Sequence, residues 1–374
     1  MKVERELMGF AFPFVLGAGV SVMTEPRFIF PVEILPCLAI VTAVLPLLFL
    51  AHGFKTDAWS RSVLVFISAF GCGSFTGLIG NEMQISDLPA GGWLGSAALE
   101  MGTRMEAAID RIPFKDYGTN ALMKALLTGE KGDLDRDVIQ AFRDSGASHI
   151  LALSGLHLGI IYKTISKTLS IAGNTLTLKR IRSILIIAAC GFYTMMTGAG
   201  ASISRAFLFI LLREIASMSG RSHSTGTILL SAITLQLTFS PSSIKDIGFQ
   251  LSYSAMAGIA FILPWLNSFW KEDETGKGMA GILGKGLRWI WNSAATSIAC
   301  QITTGPLAYY YFGTFPQHFL LTNLIAIPLT GLIIPAGLIC LVLSLAGYCP
   351  SFLLAATEWL ARAMTYSLHL IATM

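Results

Sequence analysis

Few polar residues stand inside the apolar stretches of this chain, and those few are where chemistry could be done. The densest group is His149-Ile-Leu-Ala-Leu-Ser154-Gly155-Leu-His157. On one continuous helix His149 and His157, eight apart, would be separated by about 80° around the axis. Ser154, three before His157, would share that side, and Lys163 and Lys167 continue the same predicted helix. These residue types permit three kinds of chemistry: lining of a polar pathway, a nucleophilic serine activated by a histidine base, or metal ligation through imidazole. Close helix packing needs no chemistry, because Ser and Gly let backbones approach and His hydrogen-bonds a neighbour. Spacing leaves all four readings open.

The second group is Gly198-Ala-Gly200-Ala-Ser202-Ile-Ser204-Arg205. A helix starting after the Gly-rich joint would present free N–H groups, with Ser202 expected as its N-cap and Arg205 in its first turn. Arginine at the centre of a span costs roughly 2.5–3.5 kcal/mol, so such a residue faces the protein interior or a cavity. An anion contact and a structural clamp on the joint are equally compatible with it. The third group is Asp246-Ile-Gly-Phe-Gln250-Leu-Ser252, with Asp246 a candidate helix cap and Gln250 and Ser252 within an apolar run, where packing is the favoured role. Gln301 stands in Gln301-Ile-Thr-Thr-Gly-Pro306, and Asn323 precedes Pro328. Both suit broken helices beside a pathway, and both suit plain kinks.

The elements that must position these residues follow from composition. Of 374 residues, 53% are hydrophobic and only 13% charged, about half the charge of a soluble domain. The mean hydropathy is +0.65. A disordered chain, a secreted disulfide scaffold and an ordinary soluble enzyme are excluded. The six cysteines are scattered through apolar segments without a Cys-x-x-Cys pair, which reads as small buried hydrophobes. The apolar runs do not alternate, so they are helices and not barrel strands. The predicted fold is all-α: a polytopic membrane protein of about 10–11 transmembrane helices. Several are expected to be broken or re-entrant, because Pro306, Pro328 and Pro335 and the 197–201 joint fall inside apolar runs. Three parts are expected: N-terminal helices over 1–80, a polar extracytoplasmic segment over 81–148, and a channel-type membrane domain over 149–374. The segment 81–148 holds 11 acidic and 7 basic residues. Its Leu94–Ile112 stretch is amphipathic, with Ala98, Met101, Met105, Ala108 and Ile109 at helical spacing. Packing on its own domain is favoured there over lying in the membrane interface.

Basic residues occur in alternating loops. Lys55 and Arg61 fall in one; Lys179, Arg180 and Arg182 in the next of that set; then Arg213 and Arg221; then Lys271, Lys277, Lys285 and Arg288. This predicts a cytoplasmic N-terminus, an external polar segment and an extracytoplasmic C-terminus in the cytoplasmic membrane. The parity depends on whether Leu320–Leu345 is one span or a re-entrant pair. The sequence contains no Gly-x4-Gly-Lys-Ser/Thr loop, no dinucleotide fingerprint, no EF-hand loop and no His-x-His-x-Asp-His cluster. No cofactor and no metal are expected.

Taken in order, several segments resemble the competence domain of the ComEC family. They are Ala125-Leu-Leu-Thr-Gly129-Glu130, Phe142-Arg-Asp-Ser-Gly146-Ala-Ser-His149 and Leu151-Ala-Leu-Ser154-Gly155-Leu-His157, followed by Gly198 to Ala206 and Asp246 to Ser252. Gln301 to Gly313 and Asn323 to Pro328 close the set. The resemblance runs from Ala121 to Ala346. It implies a channel carrying single-stranded DNA across the inner membrane during natural transformation, without catalysis in this chain. His149, Ser154, His157, Lys163, Lys167, Ser202, Arg205, Gln250, Ser252, Gln301 and Asn323 are the candidate pathway residues. Tyr309, Tyr310, Tyr311 and Phe312 are candidates for base contact, or for an interfacial belt. The resemblance further implies a cytoplasmic DNA-translocating ATPase, a periplasmic DNA receptor and a separate nuclease as partners. Many members resemble a three-part protein with an extracellular OB-like domain and a metallo-β-lactamase-like domain; the 81–148 stretch is too short for the first, and the sequence ends without the second. Two other classes compete. Ala152-Leu-Ser154-Gly155 loosely resembles the Gly-x-Ser-Gly of rhomboid-type intramembrane proteases, with the first Gly missing. A small-solute transporter using the Ser154/His157 site would carry inverted repeats, and the motif groups are not duplicated.

Overall fold

The computed structural model describes residues 2–23, 34–51, 58–82, 93–171, 175–220, 224–270, 279–313 and 317–374, and among them there is no β-strand. Lys55, Arg221, Lys271, Lys277 and the start of the second predicted span lie outside the described residues. The helices are α1 (Lys2–Met23), α2 (Ile34–Ala51), α3 (Ala58–Glu82), α4 (Trp93–Asp110), α5 (Tyr117–Leu127), α6 (Arg136–Asp144), α7 (Ser148–Leu151) and α8 (Gly155–Ser170). They continue as α9 (Leu176–Met196), α10 (Ala201–Met218), α11 (Thr225–Phe239), α12 (Ile247–Ala257), α13 (Leu263–Ser268), α14 (Met279–Phe312), α15 (Phe319–Leu345) and α16 (Ser351–Ala372). Ser60–Leu78, Ile247–Ser268 and Phe319–Leu345 are long and apolar enough to cross a membrane, and Leu7–Met23 and Thr225–Phe239 are shorter apolar helices. Large side chains on α15 such as Val342 (63% exposed) and Leu345 (68%) face outward, as lipid-facing residues do. The protein is an all-α polytopic membrane protein.

The chain divides into two compact units, residues 1–88 with 222–261, and residues 89–221 with 262–374. In the first, α1 and α3 approach as closely as backbones allow. A Cβ built on Gly73 would stand 2.0 Å from the Phe14 carbonyl oxygen, and one on Gly17 2.1 Å from the Phe70 carbonyl oxygen. Small residues take the place that the hydrophobic effect holds in water, since contact between helices in lipid comes from packing. Ser68 ties α3 to α2 by donating to the Ala43 carbonyl at 2.6 Å.

The second unit holds the larger core, with Leu122, Met123, Leu126, Leu127, Phe142, Ile150, Leu158, Ile333, Ile334, Met364 and Leu368 all buried in it. The amphipathic stretch becomes α4, which buries Ala98, Ile109 and Ile112 and brings Gly102 against the Met196 carbonyl of α9, 2.7 Å from a built Cβ. It packs on its own unit, with Met101 turned outward at 42% exposure.

The breaks in the apolar helices do not fall at Pro306, Pro328 or Pro335. α14 runs unbroken through Pro306, and α15 runs unbroken through Pro328 and Pro335 as one span of 27 residues, not a re-entrant pair. The polar Gln301–Pro306 stretch is no interruption either, because the Thr303 and Thr304 hydroxyls bond the Cys300 carbonyl in their own helix. Breaks occur at 152–154, where Ala152 is extended. They occur at 197–200, where Gly198 and Ala199 have φ of +80° and +50°, and as a π-helical turn over Gly258–Ile262.

Candidate functional site

The break at 152–154 overturns the expectation of one helix through His149, Ser154 and His157. α7 ends at Leu151, and α8 starts at Gly155 with Ser154 as its N-cap. The Leu156 N–H donates to Ser154 Oγ at 3.3 Å, and the Ser154 N–H donates to His157 Nδ1 at 3.3 Å. His157 thus takes the N3 position of a capping box, where Glu or Gln is usual. Nδ1 accepts a backbone N–H and so carries no proton, which leaves the proton of a neutral ring on Nε2. Ser154 Oγ lies 3.1 Å from the same Nδ1. His157 is fully buried. The Ile150 carbonyl lies near the ring, but Nε2 makes no hydrogen bond of good geometry. His149 is exposed on α7 with Nδ1 3.2 Å from the Gly146 carbonyl oxygen, and it stays within electrostatic reach of His157.

Other candidates join this end of the second unit. Gly155 packs on α10: a Cβ there would stand 3.2 Å from the Ala206 Cβ, so the start of α8 lies beside the second turn of α10. Arg205, next to Ala206, is buried at 4% exposure. Ser202 is not the N-cap of α10. Gly200 takes that position, because the chain reaches the helix from a glycine–alanine turn of positive φ and enters two residues earlier. Ser204 instead ties the joint by donating to the Ala199 carbonyl at 2.8 Å. On α15, the Thr322 hydroxyl donates to the Ser145 carbonyl at 2.7 Å, which fixes the helix start to the α6–α7 junction. The adjacent Asn323 has a buried Oδ1 without a hydrogen-bond partner. Buried polar atoms left open in this way are where water or a ligand is received.

The remaining candidates stand apart from this group. Lys163 and Lys167 are exposed on α8, and Gln301 is half-buried on α14. Gln250 and Ser252 belong to the first unit. There Asp246 caps α12, accepting the Gly248 and Phe249 N–H groups at 3.2 Å each, and Gln250 Nε2 donates to the Ile244 carbonyl at 2.8 Å. These bonds shape the start of α12. Tyr309, Tyr310, Tyr311 and Phe312 are all exposed. Among the described residues no group of three His, Cys, Asp or Glu side chains could hold a metal ion.

Two buried charge clusters were not singled out by the residue pattern. Glu214 of α10 is 6% exposed. It accepts from the Tyr162 hydroxyl of α8 at 2.8 Å and from the Ser183 hydroxyl of α9 at 2.6 Å, so one carboxylate ties three helices. The signal was available: Glu214 is the single acidic residue between Asp144 and Asp246. In the polar segment, Lys124 of α5 bonds Asp133 and lies 2.7 Å from Asp110, locking the end of α4 to the loop before α6. Hydrogen bonds to these two carboxylates hold the Lys124 ammonium above the usual lysine range, against the opposing pull of burial.

Helices broken at Gly and Ser, with buried polar and charged groups at the breaks, define a class: membrane proteins with an internal polar region. The comparisons supply the family. Residues 126–374 match the family model described as "Competence protein", and the chain belongs to that family. It is 28% identical over 224 residues to "ComE operon protein 3" of Bacillus subtilis, covering 60% of this chain and 25% of that protein. It is 25% identical over 213 residues to "Competence protein ComA" of Neisseria gonorrhoeae, covering 55% of this chain and 28% of that protein. It is 24% identical over 238 residues to "Uncharacterized protein YcaI" of Escherichia coli, covering 62% of this chain and 30% of that protein. The chain thus spans about a quarter to three tenths of the length of these relatives. No solved structure matches it.

Proposed function

We propose that this chain forms a passage for single-stranded DNA across the cytoplasmic membrane during natural transformation. The observation that carries the proposal is the competence-family match over 126–374, which contains the break at 152–154 and the buried His157, Arg205 and Asn323 region. A strand of phosphates needs cations and open hydrogen-bonding groups along its route. Arg205 supplies a buried charge in the second turn of α10, near the helix start whose backbone N–H groups also favour anions. The N-terminus is cytoplasmic and the C-terminus extracytoplasmic, on the strength of the basic loops. A cytoplasmic ATPase drives transport, a periplasmic receptor delivers the DNA, and another protein degrades the second strand. No catalytic step is assigned to Ser154 and His157, whose side chains are engaged in capping α8.

The test is import of labelled DNA into cells lacking the gene and complemented with wild type or with Arg205→Ala. Wild type restores import, and Arg205→Ala lowers it while membrane levels of the protein stay normal. Import at the wild-type level in Arg205→Ala cells would remove Arg205 from the route. Unchanged import after deletion of the gene would remove the function.

A further inference from the structure

One end of the α8–α10 bundle is strongly one-sided in charge. Between Asp144 and Asp246 the chain carries nine lysines and arginines against the single acidic Glu214. A single carboxylate, its two oxygens accepting from Tyr162 and Ser183, offsets at most one of the nine charges. Those two bonds set the three helices in register. Each bonded residue has a basic chain neighbour: Lys163 beside Tyr162, Arg182 beside Ser183 and Arg213 beside Glu214. One turn farther toward the α8–α9 connection stand Lys167, Lys179 and Arg180. Six cations from three helices are thereby gathered at one end. All are exposed except Arg182, which is half-buried. Arg213 lies with its guanidinium 5.8 Å from the centroid of the Tyr162 ring. Among the described residues none of the six forms an ion pair.

What surrounds these cations selects the partner. On α9 they stand beside Ile181, Ile184 and Leu185, which are 47%, 53% and 48% exposed, and Leu176 is 74% exposed. Apolar side chains next to long cationic ones suit the boundary of a bilayer: the isoleucines and leucines meet acyl chains, and the ammonium and guanidinium heads reach the phosphate level. A nucleic acid strand would satisfy the cations but not the apolar surface, and it would find little to stack on. Tyr162 is the one Phe, Tyr or Trp between Gly155 and Ile187, and Arg213 lies against its ring.

We propose that this end of α8–α10 is a binding site for the headgroups of acidic phospholipids. Lys179, Arg180 and Arg182 form its centre, and Lys163, Lys167 and Arg213 flank it. The site requires only that the protein is embedded in a membrane, and it stands or falls independently of DNA passage. The experiment uses the full chain in a neutral maltoside detergent, titrated with phosphatidylglycerol or phosphatidylcholine, with bound lipid counted by native mass spectrometry. Phosphatidylglycerol is expected to bind more tightly than phosphatidylcholine. At about five-fold in affinity per juxtamembrane cation, Lys179→Gln/Arg180→Gln/Arg182→Gln weakens phosphatidylglycerol on the order of 100-fold and leaves phosphatidylcholine unchanged. The charge-keeping Lys179→Arg/Arg180→Lys/Arg182→Lys retains binding. If the triple variant does not fold, Lys167→Gln/Lys179→Gln, on two exposed side chains, carries the same expectation at roughly 25-fold. Equal affinity for the two lipids, or a charge-removed variant that binds like wild type, overturns the proposal. An oligothymidylate that displaces phosphatidylglycerol, and whose own binding is lost in the same variant, assigns the site to nucleic acid instead.

Discussion

Replacing Glu214 by alanine removes the one carboxylate that joins α8, α9 and α10. The side chain is 6% exposed, so screening by water does not discount it as it would a surface charge. Its bonds to Tyr162 at 2.8 Å and Ser183 at 2.6 Å are hydrogen bonds to a charged acceptor, each worth roughly 1.5–3 kcal/mol. The two are not additive, because removal also relieves the cost of holding a charge out of water. The net loss in Glu214→Ala is then about 2–4 kcal/mol. Glu214→Gln costs less, about 1–2 kcal/mol, since its amide oxygen still accepts one hydroxyl. The decisive measurement is a double-mutant cycle with Tyr162→Phe, using reversible unfolding in mixed micelles followed by tryptophan fluorescence. Once the Tyr162 hydroxyl is gone, Glu214→Ala has less to break, and a coupling of about 1–2 kcal/mol is expected. A coupling below about 0.5 kcal/mol, the additivity of independent sites, or a Glu214→Ala protein as stable as wild type would refute the reasoning that Glu214 holds the three helices together.

Three further outcomes are expected. Gly73→Val forces α1 and α3 apart, because even a Cβ would stand 2.0 Å from the Phe14 carbonyl oxygen; a loss of about 1–3 kcal/mol or more is read from the unfolding midpoint, and a variant as stable as wild type contradicts the close approach. Lys124→Met removes an ion pair whose lysine pKa is raised on folding by Asp110 and Asp133. A raised folded-state pKa gives stability that is complete below the unfolded lysine value, about 10.4, and is lost only as pH rises through the folded value. The stability gap between wild type and Lys124→Met should stay constant from about pH 6 to pH 9, and a gap that closes in that window counts against the assignment. Ser154→Ala removes an N-cap worth about 1 kcal/mol; transformation should persist in cells carrying it at normal protein levels, and its abolition there would reinstate a nucleophilic serine.

What the sequence determined by itself was of the kind that local chemistry and composition decide. Scarcity of charge requires a membrane, non-alternating apolar runs require helices, and Asp246 before a helical run is a cap whether or not its partners are known. The order of the polar motifs was enough for the family resemblance. Tertiary structure decided the rest, because it depended on which groups meet across the chain. Ser154 and His157 looked like neighbours on a continuous helix; they are neighbours because the helix breaks and the imidazole turns back to cap it. Ser202 had the chemistry of an N-cap, but the positive φ of Gly198 and Ala199 puts the N-cap of α10 two residues before it. Pro306, Pro328 and Pro335 promised interruptions, and their segments stay helical throughout. Glu214 was visible as a lone acid, yet only the register of three helices gave it two hydroxyl partners and gathered the surrounding lysines and arginines at one end. A sequence states which groups are costly to bury, and only packing states which of them are satisfied.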